Sequence, residues 1–225
     1  MAEPTTEVTE MTEAPEAPEA PEARERSGLT DEQRAQRAEA LARVRKFGDP
    51  ALRSRASEVR EFDDELAAEA ERMIEIMAGA IGVGLAATQL GIMRRLLVFQ
   101  AASEARPTAL VNPQIEWLSA DEVIAEEGCL SLPGVVVDVE RPLHARVRGL
   151  DLEGEPMLLE ASGLEARVLQ HEVDHLDGVL ILDRTSRDQR KGAMRALRED
   201  GTYAPPRPDD EDDDEDDGAG DKANE

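Results

Sequence analysis

Residues 162–176 constrain the fold most, because their pattern predicts an α-helix that is apolar on two opposite faces. At about 100° per residue, one stripe holds Leu164, Val168, His171 and His175, and the nearly opposite stripe holds Ala166, Leu169, Val173 and Leu176. Such a helix must be buried on both sides. Residues 162–165 match a capping box, and Gly178 suits a C-terminal stop.

The segments before this helix predict one further helix and several short strands. Apolar residues recur at three- and four-residue steps over residues 62–80, which predicts an amphipathic helix. Short apolar or alternating runs predict strands at residues 96–99, 109–111, 135–137 and 145–147. The order helix, strands, helix predicts an α+β fold, with short antiparallel strands packed around a buried central helix.

The acidic residues of the chain are concentrated at its two ends. The chain of 225 residues carries a formal net charge of -25, and more than half of it lies in residues 1–30 and 201–225. We therefore expect a disordered extension over residues 1–40, a folded domain over 41–193 and a disordered acidic tail over 194–225. The alternative is that a tail serves as a docking arm for a basic partner.

The composition also excludes several functional classes. The acidic excess argues against sequence-specific nucleic-acid binding, whose electrostatic footprint is basic. No apolar run approaches the roughly 20 residues of a membrane-spanning helix, and no secretory signal is visible. Cys129 is the single cysteine, which excludes an intramolecular disulfide and fits a reducing compartment. A cytoplasmic location is therefore expected.

The end of the predicted central helix carries a metal-binding pattern. Residues 171–175 read H-E-x-x-H, which places His171 and His175 on one helix face with Glu172 beside them as a possible general base. The alternative is a helix whose histidines are satisfied by other partners. Because no histidine follows His175, Cys129 is a candidate third ligand, although a small buried hydrophobic residue is also consistent with its setting. This donor set suits Fe²⁺, Zn²⁺, Ni²⁺ or Co²⁺.

A third informative segment covers residues 82–89. Its small residues would let a substrate backbone approach the main chain, and Gln89 can donate a hydrogen bond to an oxyanion. The alternative is a helix stop followed by a structural turn. Together, G-x-G-L-A-A-x-Q at residues 82–89, E-G-C-L-S at 127–131 and H-E-x-D-H at 171–175 resemble the peptide deformylase family, and the resemblance covers about residues 42–185.

The resemblance implies removal of the N-formyl group from the N-terminal formyl-methionine of nascent polypeptides, with release of formate. It implies that Cys129, His171 and His175 bind the metal, which in this family is generally Fe²⁺. It further implies that Glu172 moves the proton, and that the Gln89 side chain and the Leu130 backbone N–H stabilise the oxyanion. A zinc-dependent H-E-x-x-H peptidase is the alternative, but it gives Cys129 and Gln89 no role.

The resemblance also implies a substrate site and supporting residues. Its substrate-binding residues would be Gly82, Val83, Gly84, Leu85, Ala125, Glu127, Gly128, Arg167 and Val168. Glu127 and Arg141 are expected to form an ion pair that braces the cysteine loop, with two solvated charges as the alternative. Asp174 is expected to orient one of the metal ligands without binding the metal itself. The alternative is a charge on the helix surface.

Residues 184–198 form a basic segment just before the acidic tail. In the family the C-terminal helix can contact the ribosome, where substrates emerge, so a ribosome-facing surface is one hypothesis for this segment. Residues 209–217 would then be able to fold back and screen it. The alternative is a solvated helix face.

Overall fold

The computed structural model describes residues 28–102 and 105–206, and within them the chain forms four α-helices and seven β-strands. The helices are α1 (Asp31–Arg43), α2 (Asp64–Gly79), α3 (Leu164–Leu176) and α4 (Arg187–Arg198). In these two ranges no helix has the length and apolar character needed to cross a lipid bilayer. The helix predicted over residues 62–80 is α2, and the Asp63 side chain caps it by accepting a hydrogen bond from the Leu66 N–H.

The strands form two antiparallel sheets. They are β1 (Gly84–Ala86), β2 (Leu96–Phe99), β3 (Thr108–Leu118), β4 (Glu122–Gly128), β5 (Val136–Pro142), β6 (His144–Leu150) and β7 (Pro156–Ser162). The larger sheet has the order β1-β2-β3-β6-β7, and β4 pairs with β5 in a separate sheet. Each pair of neighbouring strands is antiparallel. The predicted α+β class is therefore confirmed.

Helix α3 lies at the centre of this arrangement. It contacts every strand of the larger sheet and also β5. Both predicted apolar stripes are buried: Leu169 and Leu176 have no exposed surface, and His175 is 1% exposed on the other face. The helix ends at Leu176 as predicted, and Gly178 just beyond it has a φ of +77°, which is unfavourable for residues with a side chain.

The capping box predicted at the start of α3 is wrong. Ser162 is the last residue of β7 and pairs with His144 of β6. Gly163 is the residue at the N-cap, and no side chain caps the helix there. Because Gly163 adopts a φ of +58°, the chain turns from strand into helix at that residue and Ser162 stays on the exposed side of the strand.

Part of the predicted N-terminal extension is helical, because residues 31–43 form α1. Thr30 and Gln33 make a capping box at its start. Helix α1 has few apolar residues, but two contacts attach it to the rest of the fold. Ala40 packs closely on Gly79 of α2, and Arg37 donates a hydrogen bond to the Ala80 carbonyl at 3.1 Å. The rest of the predicted extension, residues 1–27, lies outside the described residues.

The predicted C-terminal boundary at residue 193 falls inside α4, where Ala193 is buried. The folded part also continues past the helix, because the Tyr203 N–H donates to the Gly134 carbonyl and the Val136 N–H donates to the Tyr203 carbonyl. The aromatic ring of Tyr203 lies against Gly192. The acidic run over residues 209–217 lies outside the described residues.

Candidate metal centre

Three side chains that can bind a metal ion converge at one end of α3. Cys129 follows directly after β4, whereas His171 and His175 lie one turn apart on the helix. One ligand atom of each residue lies within 4.8 Å of the other two, and the Cys129 Sγ is 3.2 Å from the His175 Nε2. The two imidazole rings meet edge to face. The predicted convergence of this thiol and these imidazoles is confirmed.

Glu127 orients His171 and is itself held by two arginines. Its Oε2 lies 3.0 Å from the His171 Nδ1, and Arg141 donates to both carboxylate oxygens at 2.6 and 3.0 Å. Arg167 adds a hydrogen bond at 2.7 Å. The predicted Glu127–Arg141 ion pair is therefore present. With Nδ1 engaged in this way, the Nε2 of His171 is the nitrogen available to a cation.

The contacts of Glu127 shift two pKa values in opposite directions. Burial alone would raise the pKa of Glu127, but hydrogen bonds with His171 and Arg141 outweigh it and hold the pKa well below its usual range. Burial alone would lower the pKa of His171, but hydrogen bonds with Cys129 and Glu127 raise it well above its usual value. A bound cation therefore competes with a proton on His171.

The Asp174 carboxylate bonds to arginines and not to a histidine ring, although it was expected to orient a metal ligand. It accepts a hydrogen bond from Arg141 at 2.9 Å, and Arg184 donates to it at 2.6 and 3.1 Å. These arginines occupy its oxygens, so Asp174 orients His171 only through Arg141 and Glu127. The carboxylate is thus part of a buried ionic network and is not a solvated helix charge.

His175 suits a metal for a different reason. Its side chain is 1% exposed, and its Nδ1 is buried without a hydrogen-bond partner among the described residues. Burial lowers the pKa of His175 well below its usual value, and the nearby His171 and Arg141 charges lower it further. The neutral imidazole that results is the form that binds metal ions. The donor set therefore fits a transition-metal cation.

Glu172 is buried beside this donor set without full hydrogen bonding. It is 4% exposed, and its Oε2 has no partner in the described part of the chain. Burial raises the pKa of Glu172 to about 7. Gly84 of β1 makes room for the carboxylate, because a Cβ at this position would overlap the Glu172 side chain. The absence of a side chain at Gly84 is thus a direct requirement of the site.

Gln89 lies on the opposite side of the cysteine, in a short 3₁₀ helix after β1. Its Nε2 is 3.2 Å from the Ser131 Oγ and 3.7 Å from the Cys129 Sγ. The Ala86 N–H donates to the Gln89 Oε1 at 2.9 Å, which fixes which end of the amide faces the cysteine. An amide donor is therefore aimed at the space beside the metal ligands.

An open cavity of about 590 Å³ gives access to the site. Seven of the predicted substrate-binding residues line it: Gly82, Val83, Gly84, Glu127, Gly128, Arg167 and Val168. The predicted metal ligands Cys129 and His171 line it as well, together with Gln89, Leu130 and Glu172. The cavity therefore joins all three sequence motifs.

Two of the predicted substrate-binding residues lie away from this cavity. Leu85 is wholly buried in the core, because successive residues of β1 point to opposite sides and Gly84 faces the cavity. Ala125 lines a neighbouring cavity of about 430 Å³. It lies two residues before Glu127 on β4, about 7 Å further along the strand. The structure does not bring these two side chains to the site.

Several residues near the site were missed from the sequence. Leu164 and Glu126 also line the cavity. Leu164 could have been found, because it begins the helix stripe that carries Val168 and both histidines. Lys46 donates a hydrogen bond to the Leu130 carbonyl at 3.0 Å across 84 positions of sequence, and no local pattern signals such a contact.

The fold and the site together define the class of protein. A buried thiol and two imidazoles can bind a metal, an incompletely hydrogen-bonded carboxylate can carry a proton, and an amide can donate to an oxyanion. All of these groups meet at one open cavity. This combination is typical of a metal-dependent hydrolase.

Comparisons with known proteins identify the family. The family model described as polypeptide deformylase matches residues 41–191. The peptide deformylase of Acidothermus cellulolyticus is 47% identical over 160 residues, which are 71% of this chain and 87% of that protein. The peptide deformylase of one Thermotoga strain is 47% identical over 150 residues, which are 67% of this chain and 90% of that protein.

Solved structures agree with these relatives. The crystal structure of the Thermotoga maritima peptide deformylase has a TM-score of 0.62 and 47% identity, covering 64% of this chain and 97% of that chain. The Synechococcus elongatus peptide deformylase, solved in complex with actinonin, has a TM-score of 0.66 and 43% identity, covering 69% and 85% of the two chains. This chain belongs to the peptide deformylase family, and the zinc peptidase alternative is not favoured.

Proposed function

We propose that this chain removes the formyl group from N-terminal formyl-methionine, and that the residues assigned above by resemblance carry out the reaction. One observation carries the proposal: Cys129 and His171, which converge with His175, line a single cavity together with Glu172 and Gln89. The substrates are nascent peptides, and the products are formate and a free amino terminus.

Cys129, His171 and His175 would hold the cation, which we propose to be Fe²⁺, with Zn²⁺, Ni²⁺ or Co²⁺ as substitutes. When bound, such a cation lowers the pKa of water and so makes a nucleophile available near neutral pH. Glu127 supports this role by fixing the His171 ring through its Nδ1, at 3.0 Å. Arg141 and Arg167 in turn fix Glu127.

Glu172 acts as the general base and then as the general acid. Its unpartnered Oε2 accepts the proton of the attacking water and later delivers it to the leaving amine of methionine. A pKa raised to about 7 by burial suits a group that must both accept and release a proton near neutral pH. Because Gly84 packs against the carboxylate, the carboxylate cannot move away from the cavity on that side.

Gln89 and Leu130 stabilise the oxyanion that forms when water attacks the formyl carbon. The Gln89 Nε2 and the Leu130 backbone N–H are the two donors. The Gln89 amide is held in place by the Ala86 N–H, so it need not reorganise during the reaction. Loss of one such donor costs about 3 kcal/mol of transition-state stabilisation in known acyl-transfer enzymes.

The cavity explains a preference for a small acyl group and an apolar side chain. Leu130 and Gly84 face the position of the formyl carbon, which carries only hydrogen and therefore needs little space. Val83, Leu164 and Val168 supply apolar surface for methionine. The Arg167 guanidinium is turned away toward Glu127, Val123 and Val139, which leaves its aliphatic stem for contact.

We also propose a cytoplasmic location and contact with the ribosome through α4. On this helix Arg190 lies 3.5 Å from Asp183, whereas Lys191 is exposed. Arg184, just before the helix, bonds to Asp174, while about half of its side chain stays exposed. Co-sedimentation with ribosomes, with and without residues 207–225, tests the contact, and unchanged sedimentation would remove the proposed screening by the acidic tail.

Release of formate from a formyl-methionyl peptide tests the main proposal. We expect turnover by the wild-type protein and none from the matching acetyl-methionyl peptide. Equal cleavage of internal peptide bonds would instead support a peptidase. For the metal, protein prepared without oxygen with Fe²⁺ should outperform protein exposed to air, because the iron and the cysteine oxidise. Equal activity after prolonged exposure to air would contradict the iron assignment.

A further inference from the structure

Residues 45–47 form hydrogen bonds with both segments that supply the proposed oxyanion donors. The Arg45 N–H donates to the Gln89 carbonyl at 2.7 Å, and the Phe47 N–H donates to the Ser131 carbonyl at 2.9 Å. The same short segment therefore holds both the turn that carries Gln89 and the loop that carries Leu130. None of its three residues is among those that line the cavity.

The Lys46 side chain adds a charged contact to these backbone bonds. Its Nζ donates to the Leu130 carbonyl at 3.0 Å. Among the described residues Lys46 makes no ion pair, so its cation is directed at a carbonyl and not at a carboxylate. A hydrogen bond from a charged donor is stronger than one between neutral groups. This contact thus fixes the backbone of Leu130 more firmly than the loop alone would.

The Leu130 N–H shares a rigid peptide unit with the Cys129 carbonyl, which accepts a hydrogen bond from the Leu132 N–H at 2.9 Å. The Leu130 carbonyl lies in the next unit, so fixing it restricts the N–H through the two torsions at the Leu130 Cα. The next residue, Ser131, is held by Phe47 through its carbonyl and by the Gln89 Nε2 through its hydroxyl, at 3.2 Å. The direction of the Leu130 N–H relative to the Gln89 amide therefore depends on residues 45–47. Displacement of a positioned group by about 1 Å is enough to cost a large part of an enzyme's rate.

We propose that Lys46 is a positioning residue for the oxyanion site, and that its ammonium group holds in place the loop that presents the Leu130 N–H by bonding the Leu130 carbonyl. The inference rests on the proposed function, because it concerns the same reaction. Lys46 does not line the cavity, so its effect should fall on kcat and not on KM. Because its charge interacts with Cys129, turnover is compared per bound metal.

The test compares Lys46→Met, Lys46→Arg and Lys191→Met in the full chain with bound metal. Methionine keeps the length of the side chain and removes the donor, and arginine keeps the charge and a donor. Lys191 is the other lysine among the described residues, and it is exposed on α4. For each variant, metal per chain, thermal midpoint, and kcat and KM for a formyl-methionyl peptide are measured.

We expect Lys46→Met to lower kcat per bound metal about tenfold, less than the 10²–10³ lost when an oxyanion donor is removed outright. KM and metal content should stay near the wild-type values, Lys46→Arg should recover most of the turnover, and Lys191→Met should match the wild type. The same kcat per bound metal in Lys46→Met and wild type would overturn the inference. A loss that only follows metal content or the folded fraction would also overturn it.

If Lys46→Met fails to fold, Lys46→Gln decides, because a shorter neutral side chain keeps polarity but cannot supply the charge. Its kcat per bound metal should again fall, and an unchanged value would overturn the inference. Wild-type protein that binds metal but releases no formate would contradict the proposed function itself, and this result is distinct from any difference among the variants.

Discussion

Two buried carboxylates lie beside the metal centre, and their surroundings differ. Glu127 is 5% exposed and Glu172 is 4% exposed. Glu127 is bonded to Arg141, Arg167 and His171, and its pKa is held well below the usual range, although burial alone would raise it. Glu172 has an oxygen with no partner in residues 28–102 and 105–206, and burial raises its pKa to about 7.

This difference indicates that Glu127 supports a metal ligand, whereas Glu172 takes part in the chemistry. A carboxylate whose oxygens are all bonded to cations stays ionised and rigid, which suits the orientation of His171. A buried oxygen without a partner is costly for folding, and such a cost persists where the free lone pairs are needed for proton transfer. Removing the two carboxylates should therefore have opposite signatures in stability and in turnover.

The largest effect is expected for Glu172→Gln. Because general acid–base groups contribute about 10²–10⁴ in rate, kcat for formate release should fall about 10³-fold. Metal content should be retained, and the thermal midpoint should not fall, since the change removes a buried, unsatisfied acid. Glu165→Gln on the same helix is the matched control and should keep its activity. Loss of metal from Glu172→Gln would contradict the separation of roles.

The next effect is expected for Glu127→Gln. Among the described residues, this change leaves Arg167 without a carboxylate and Arg141 with Asp174 alone, so the free energy of unfolding should fall by about 3 kcal/mol. The affinity for Zn²⁺ should fall about 10- to 100-fold, as is common when a residue behind a metal ligand is lost. Chemical denaturation and metal titration measure the two quantities. Glu126→Gln, its neighbour at the cavity, should change neither, and similar losses in both variants would refute the argument.

A smaller effect is expected for Gly84→Ala, which tests the position of Glu172 without removing it. The new Cβ would overlap the carboxylate, so kcat should fall about tenfold as the general base is displaced. Gly82→Ala is the comparison, because the one tight contact of its Cβ would be with the movable end of Leu130, at 3.1 Å, and the nearest backbone oxygens would lie at ordinary contact distances of 3.5 and 3.6 Å. In kinetics with a formyl-methionyl peptide, the kcat of Gly82→Ala should be well above that of Gly84→Ala. The reverse ranking would contradict the packing argument.

The smallest effect is expected for Asp183→Asn. The Asp183 carboxylate accepts hydrogen bonds, as the Glu127 carboxylate does, but it lies nearer to solvent. Burial alone would raise the pKa of Asp183, but hydrogen bonds from Arg53 and the Leu180 N–H lower it. A lowered folded-state pKa gives stability above the unfolded-state pKa, and that stability is lost as pH falls through the folded-state pKa. The variant should lose about 1 kcal/mol at neutral pH. In denaturation experiments this difference should shrink in acid, and a difference independent of pH would contradict the assignment.

Several features of the fold and of the site could be predicted from the sequence. Helix α3, its two buried faces, the three metal ligands and the Glu127–Arg141 pair follow from periodicity, from residue types and from motifs in register. Each of these features either repeats locally or belongs to the resemblance. The placement of Leu85 in the core could also have been found, since strand alternation puts it opposite Gly84.

The rest depended on contacts between distant segments. Ser162 looked like a helix cap, but pairing with His144 keeps it in a strand. Arg184 was expected only as part of a basic surface, but it also bonds to Asp174 in the ionic network while half of its side chain stays exposed. Residues 31–40 were placed in a disordered extension because the packing of Ala40 on Gly79 is not revealed by the pattern of α1 alone. Local patterns predict an element, whereas tertiary packing decides where it ends.

X-ray absorption by the Zn²⁺-loaded protein tests the central claim most directly, because it reports the atoms bound to the metal. With Cys129, His171 and His175 as ligands, the spectrum should show one sulfur at about 2.3 Å and two imidazole nitrogens at about 2.0–2.1 Å. The sulfur signal should disappear in Cys129→Ser. A wild-type spectrum without sulfur around the zinc would contradict the account.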